Sequence, residues 1–254
     1  MSTLSPSATL PAAMVETLAN HGFVHLPAPT LEVMLGWSAQ DWSRFAASWD
    51  RLGTDGYMAD GGRYRLRRHA TFTAQGQQAL RQPHQPHYQS RDYNALNGGV
   101  QRWFEPVEDE VAQGTILASI FEMLTPLFTR LDGREDVASW HSEVHQFRIE
   151  TSARETGRPT PEGFHRDGVD WVLVLLVGRR NVEEGTTEIA GFDGAPLGRF
   201  TLCQPGDAVL LDDRRIMHGV TPIQPHALSE PAWRDALVVT WRADDAPGDQ
   251  VTIG

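Results

Sequence analysis

No lysine occurs in the 254 residues, so all 22 basic side chains are arginine. That absence excludes a Schiff base with pyridoxal phosphate or a carbonyl substrate and a P-loop, whose lysine contacts the phosphates. The single cysteine, Cys203, excludes a disulfide within the chain and any multi-cysteine zinc or iron–sulfur centre. It stands in the strand-like run Arg199-Phe-Thr-Leu-Cys203, where a core position is expected. No apolar run reaches the roughly 18 residues a membrane helix needs, and mean hydropathy is -0.37, so no membrane partner is expected. Met1 to Ala13 lacks the basic start and apolar stretch of a secretory leader, so the expected address is cytoplasmic. A surplus of positive charge is also missing. The net charge of -11 and pI near 5.3 oppose a nucleic-acid partner, and the basic stretch Arg63-Tyr-Arg-Leu-Arg-Arg68 is too short to form a groove.

Hydrophobic content of 40% and charged content of 22% are those of an ordinary folded domain. Apolar residues Ile116, Ile120, Leu124, Leu127 and Leu131 recur every three to four positions and predict one amphipathic helix. Ala12 to Ala19 and Trp42 to Trp49 also have helical spacing, the second with Asp41 as N-cap. Gln77 to Asn97 follows neither period and reads as a long loop, of the kind that forms lids. After Asp136 the chain turns to short β-rich runs, Glu143–Glu150, Trp171–Val177, Thr186–Ile189, Arg199–Leu202, Ala208–Leu211 and Ala236–Trp241. Trp171 and Trp241 are expected in the core. The fold class is α+β with a mainly β core: a double-stranded β-helix, or jelly roll, buttressed by N-terminal helices. A single domain over 1–254 is expected, with about 1–135 as helical or mixed buttress and lid and about 136–243 as the jelly-roll core.

With lysine and cysteine chemistry set aside, histidines and carboxylates remain. Phe164-His-Arg-Asp-Gly168 holds the only His-x-Asp in the chain. Residues two apart on extended backbone point the same way, so His165 and Asp167 can present two ligands to one cation. His218, in Asp212-Asp-Arg-Arg-Ile-Met-His-Gly219, follows a predicted strand and supplies a third. Two histidines and one carboxylate with open positions form the facial triad of non-heme Fe(II) oxygenases. Arg234, at the entrance to the last strand, can clamp a carboxylate inside the barrel, as a 2-oxoglutarate-dependent enzyme requires for the distal end of its cosubstrate.

The sequence resembles the bacterial 2-oxoglutarate/Fe(II) dioxygenases typified by L-isoleucine dioxygenase, which hydroxylate free aliphatic amino acids. The resemblance is carried by Tyr88-Gln-Ser-Arg-Asp-Tyr-Asn94, Gly98-Gly-Val-Gln-Arg102, Val144-His-Gln-Phe-Arg148, His165-Arg-Asp-Gly168, His218-Gly-Val-Thr-Pro-Ile223 and Arg234-Asp-Ala-Leu-Val-Val-Thr240, in the family's order from about residue 57 to 242. It implies that His165, Asp167 and His218 hold Fe(II) and Arg234 the 2-oxoglutarate carboxylate. It further implies consumption of O2, release of succinate and CO2, hydroxylation of a free L-amino acid, and ascorbate as the reductant in vitro. Where relatives carry Gly-Gly after the strand that follows the motif, this chain has Glu184-Gly185, a departure that bears on the turn.

Two other readings stand beside this one. His141-Ser-Glu-Val-His145 would align three ligand-type side chains on one strand face, as in a cupin-like metal-binding barrel that binds or senses a small ligand without oxidising it. The remaining histidines, His21, His25, His69, His84, His87 and His226, read as surface or loop residues. Tyr64, Gln146 and Arg148 are the candidate substrate residues, Arg148 for a carboxylate, with a salt bridge to Glu143 or Glu150 as its alternative role. Tyr64 and Tyr88 lie in segments that could cover the iron.

Overall fold

The stripe of Ile116, Ile120, Leu124 and Leu127 does form a helix, and its burial organises the protein. In the computed structural model, which describes residues 9–244 apart from 94, 95, 97, 135 and 136, the elements in chain order are α1 (Ala12–His21), β1 (Phe23–Leu26), α2 (Ala28–Leu35), α3 (Ala39–Ala47), a 3-10 turn (Ser48–Arg51), β2 (Gly53–Thr54), β3 (Arg65–Gln75), β4 (Gln78–Arg81), α4 (Asp109–Ala112) and α5 (Thr115–Asp132). Then follow β5 (Trp140–Thr151), β6 (Trp171–Arg180), β7 (Val182–Glu184), β8 (Thr186–Ala190), β9 (Pro196–Thr201), β10 (Ala208–Asp212), β11 (Met217–Val220), β12 (Ile223–Pro225) and β13 (Ala232–Ala243). The expected change of texture at Asp136, Asn94 and Asn97 in the expected loop, and the first eight residues of the leader reading lie outside the described residues.

An eight-stranded antiparallel sheet runs β1-β10-β6-β13-β5-β3-β2, with β4 added on β3. Facing elements are the three-stranded β11-β8-β9 and the pair β12-β7. This is the double-stranded β-helix expected. The large sheet has two faces because side chains alternate along each strand. On the outer face Val144, Leu173, Leu175, Leu237, Val239 and Trp241 join the main apolar core with α5. Phe121 meets Phe72 and Trp241 there, and Phe128 stacks on Trp171 at 4.8 Å. The segment Asp109–Asp132 is long and apolar enough to cross a membrane, but this packing accounts for its composition. On the inner face polar residues gather, and the site lies there.

All six predicted β-runs are strands, and further ones are present. β1 and β3, both from the first half of the chain, enter the large sheet; β3 pairs with β5 over ten residue pairs, from Arg65 opposite Ile149 to Ala74 opposite Trp140. Three local expectations are corrected. Gln77–Asn97 is not all loop, because Gln78–Arg81 pairs with β3. The cap of α3 is Ser38, whose hydroxyl accepts from the Asp41 N–H at 3.0 Å, so Asp41 sits inside the first turn, beside the helix's positive end. Cys203 is exposed rather than in the core, since the chain leaves β9 at Thr201 and turns outward before β10.

Candidate metal and cosubstrate site

His165 and His218 meet as a two-residue antiparallel bridge, each N–H donating to the other's carbonyl at 2.9 and 3.0 Å. Directly opposed residues project on one face, so the imidazoles stand side by side, 4.5 Å between ring centres. Asp167, two residues on, joins them: its Oδ1 lies 3.5 Å from His165 Nε2 and its Oδ2 3.6 Å from His218 Nε2. All three ligand atoms fall within 4.8 Å of one another. Donors at right angles around a cation, each ~2.1 Å away, would stand roughly 3 Å apart, close to the separations found.

The tautomer also fits. His165 Nδ1–H donates to the Gly163 carbonyl at 3.1 Å, which leaves the Nε2 lone pair facing the other two ligands. Burial pushes His165 down, but the hydrogen bond and charge of Asp167, aided by Glu162, raise it to about 9. Burial works upward on Asp167, yet His165 and His218 outweigh it and hold the carboxyl well below the usual range. Burial and the neighbouring His165 push His218 down to about 4. The metal-free trio therefore holds a proton where a divalent cation would put its charge.

Asp213 fixes the motif's backbone. Its carboxylate accepts the N–H groups of Asp167, Gly168 and Val169 at 3.0, 2.9 and 3.3 Å, and burial followed by the Asp167 charge raises it to about 7. Gly168 has φ +80°, and a Cβ there would lie 2.5 Å from the Tyr93 ring, so glycine is required after the aspartate. Gln89, from the expected lid segment, donates to the Asp167 carbonyl at 3.0 Å.

Arg234 lines the same cavity as the triad. It is 3% exposed, and its Nε and Nη2 have no hydrogen-bond partner. Burial, then repulsion from Arg179, depresses it to about 10, so it remains a cation. Its strand carries a bulge against β6 between Asp235 and Ala236, a device that re-aims neighbouring side chains. An unpaired buried guanidinium is costly, and a carboxylate held by its fork would remove that cost. The residues present thus fit both a divalent metal and a dicarboxylate. The adjoining turn is made as the Glu184-Gly185 departure requires: Glu184 takes φ 60° and Gly185 φ 70°, while the Glu184 carbonyl accepts from Arg179 at 3.0 Å. A Cβ on Gly185 would stand 2.9 Å from Ile223 Cγ2 and 3.5 Å from Arg234 Cδ. Gly185→Ala is expected to cost about 1–2 kcal/mol of stability from the left-handed backbone alone and to raise the 2-oxoglutarate KM severalfold, read by thermal melting and steady-state kinetics.

The sequence model of a 2OG-Fe dioxygenase matches residues 46–240. The chain belongs to the 2OG-Fe dioxygenase family. The crystal structure of a bsmA homolog from Methylobium petroleophilum PM1 superposes with TM-score 0.84 at 38% identity, over 93% of this chain and 95% of that one. IDO from Bacillus thuringiensis has the same fold, with TM-score 0.72 at 16% identity over 92% of this chain and 99% of that one. The L-isoleucine-4-hydroxylase of Bacillus thuringiensis is 22% identical over 155 residues, covering 61% of this chain and 64% of that protein. The chain thus matches just under two thirds of that relative's length.

The substrate candidates fare differently. On β5 the cavity receives Glu143, His145, Phe147 and Ile149, whereas Gln146 and Arg148 point to the opposite face. Gln146 is fully buried and donates to Ser48 Oγ at 2.8 Å. Arg148 donates to Asp235 at 2.8 and 2.7 Å and to Asp50 at 3.0 Å, and lies over Trp233. Its partners are these rather than Glu143 or Glu150, and neither Gln146 nor Arg148 reaches the site. Tyr64 is buried with Ile149 and Ile223 and donates to Asp60 at 2.6 Å, outside the cavity lining. Tyr88 is 58% exposed and does not line the cavity. Arg148→Ala should therefore leave every KM within about twofold yet lower stability by about 2 kcal/mol or more, because it strands buried Asp235; urea unfolding beside steady-state kinetics checks both.

Two histidines assigned to surface or loop are inside. His69 is buried on β3 and His87 lines the cavity. With Glu143 and His145 they form a second cluster of ligand-type atoms, which does not include His141. Arg67 Nη2 donates to His145 Nδ1 at 2.8 Å. Arginine stays protonated, so the His145 proton sits on Nε2 and is donated to Glu143 Oε2 at 3.1 Å. That nitrogen has no lone pair for a metal, and the cluster reads as imidazoles gathered on an anionic carboxylate. The locally basic Arg63–Arg68 run also finds its place here, since Arg65 and Arg67 line the cavity.

Proposed function

We propose that this dioxygenase hydroxylates a free L-amino acid with an aliphatic or similar side chain, with His165, Asp167 and His218 holding Fe(II) and Arg234 holding the distal carboxylate of 2-oxoglutarate. The observation that carries the cosubstrate assignment is the buried, unpartnered Arg234 guanidinium in the cavity of the triad. The amino-acid reading is supported by the two relatives named for isoleucine chemistry, L-isoleucine-4-hydroxylase and the 3(1)-hydroxy-L-isoleucine 4-dioxygenase of Pantoea ananatis. When bound, iron and 2-oxoglutarate supply with O2 the oxidising power for an unactivated C–H bond, the cosubstrate leaving as succinate and CO2.

The protein's part is placement and exclusion of water. Gly163 and Asp213 fix the ligand-bearing backbone, and Gln89 ties the segment before Arg102 to the motif. Val174, Val220, Ala236 and Val238 give the cavity an apolar wall that disfavours water beside the triad. The test is succinate formation with Fe(II), 2-oxoglutarate and ascorbate across the proteinogenic L-amino acids. Succinate equimolar with a hydroxylated amino acid is expected. If every amino acid leaves succinate at its substrate-free background, the reading fails.

A further inference from the structure

The cavity holds a second buried cation without a partner. Arg102 is 2% exposed and lines the cavity, its Nε has no hydrogen-bond acceptor, and its side chain makes no hydrogen bond or ion pair among the described residues. The other arginines on this side are engaged. Arg65 donates to Asp55 at 2.7 Å, and Arg67 is held over Phe104 and Phe147 while donating to His145. Arg65 and Arg67 each keep one nitrogen, Nη2 and Nε, without an acceptor. Among the described residues of this wall, however, Arg102 is the arginine whose whole side chain lacks a hydrogen-bond or ion-pair partner, and so is freest to meet an incoming anion.

An anionic carboxylate stands beside it. Arg102 and His87 form a two-residue antiparallel bridge, with N–H donations of 2.9 and 3.0 Å, so both side chains project on one face. His87 Nδ1 then donates to Glu143 Oε2 at 2.6 Å. The other oxygen, Oε1, has its nearest imidazoles, His141 and His69, at 3.7 and 3.8 Å, too far for hydrogen bonds. Glu143 faces the cavity, and its surroundings keep it ionised. One buried cation and one anion with a free acceptor oxygen therefore share this wall.

This wall is separate from the cosubstrate end. Thr240 pairs with Glu143 and Arg234 with Ile149 across β13 and β5, and the six residue steps from one pair to the other span about 20 Å of strand at ~3.3 Å each. One small dicarboxylate cannot satisfy Arg234 and Arg102 together. Resting on the amino-acid reading above, we propose that Arg102 and Glu143 form a zwitterion clamp, Arg102 taking the substrate's α-carboxylate and Glu143 Oε1 its α-ammonium. The enzyme then accepts a free amino acid and refuses a residue within a peptide, whose amides carry neither charge.

The test loads the enzyme anaerobically with Fe(II) and 2-oxoglutarate. L-isoleucine, L-leucine, L-valine and L-methionine, their amides and their deaminated acids are titrated by calorimetry, and succinate is then counted after O2 is admitted. Two charge-assisted hydrogen bonds make the wild-type preference for acid over amide about a hundredfold or more. Arg102→Gln should collapse that ratio to within about fivefold, with the 2-oxoglutarate KM unchanged within twofold; Glu143→Gln should collapse the ratio of amino acid to deaminated acid in the same way. A merely structural role would lower affinity for all three ligands alike and leave the ratios standing. The clamp is overturned if the ratios survive in both variants, or if the wild type takes the amide as well as the acid, an arm that needs no variant to fold. Turnover of a free amino acid with unchanged ratios rejects the clamp alone. Absence of binding and turnover with every free amino acid rejects the amino-acid reading and the clamp with it.

Discussion

His165→Ala and His218→Ala are each expected to abolish iron binding and turnover. Fe(II) stands low in the order of divalent affinities, so its retention depends on the full count of ligands. Even partners of the ligands, when removed, cost about 10–100-fold in affinity, and losing one of three protein donors costs more. Asp213→Asn supplies the comparison: it keeps the ligands but loses part of the carboxylate that accepts three backbone N–H groups of the motif, so a loss within that 10–100-fold range is expected. The two histidine variants should remain folded. His218 Nδ1 is buried without a hydrogen bond, and its removal strands no partner. Iron content after desalting, read beside circular dichroism and a melting curve, separates a lost site from a lost fold. Full iron content in His218→Ala would exclude His218 from the site, and loss of iron on His145→Ala alone would move the metal to the cluster around Glu143.

The triad was legible because His-x-Asp on extended backbone constrains where its side chains go, and His218 needed only to fall on a neighbouring strand, as the bridge to His165 shows. β5 was less legible for a physical reason. Trp140–Thr151 carries polar residues at both parities, with Glu143 and His145 on one face and Ser142, Gln146 and Arg148 on the other. With no apolar and polar alternation to set the inner face, a choice one residue out exchanges every side chain. The sequence candidates Gln146 and Arg148 fall on the outer face, whereas His145 and Phe147 line the cavity. Arg102 stood inside a block that resembles the family, but nothing local marks it as buried; its environment is made by His87 across the bridge and by β5, far away in sequence. His69 was obscured similarly, because it follows Arg67 and Arg68 and shares their polar texture, while β3 enters the sheet through pairing with β5. The cap of α3 was available in Ser38-Ala-Gln-Asp41, a serine three residues before an acid.

Arg234→Ala is expected to raise the KM for 2-oxoglutarate about a hundredfold or more and, on the proposed function, to leave the amino-acid KM within a few fold. The guanidinium fork would give the distal carboxylate two charge-assisted hydrogen bonds, each on the order of 1.5–3 kcal/mol, and each 1.4 kcal/mol is a factor of ten. The truncation also removes a buried unpaired cation from the cosubstrate-free protein, where Nε and Nη2 have no acceptor. The variant should therefore melt no lower than wild type without cosubstrate, and lose the rise in melting temperature that 2-oxoglutarate gives the wild type. Arg234→Lys should recover only part of the affinity, because a point charge cannot reproduce two parallel bonds. Arg242 has the same parity on β13 but is exposed at the strand's far end, paired across to His141, and Arg242→Ala should leave the 2-oxoglutarate constant unchanged. Should Arg102→Gln rather than Arg234→Ala raise the 2-oxoglutarate KM, the two buried guanidiniums would have exchanged roles, and cosubstrate and substrate would lie in this cavity in the reverse order.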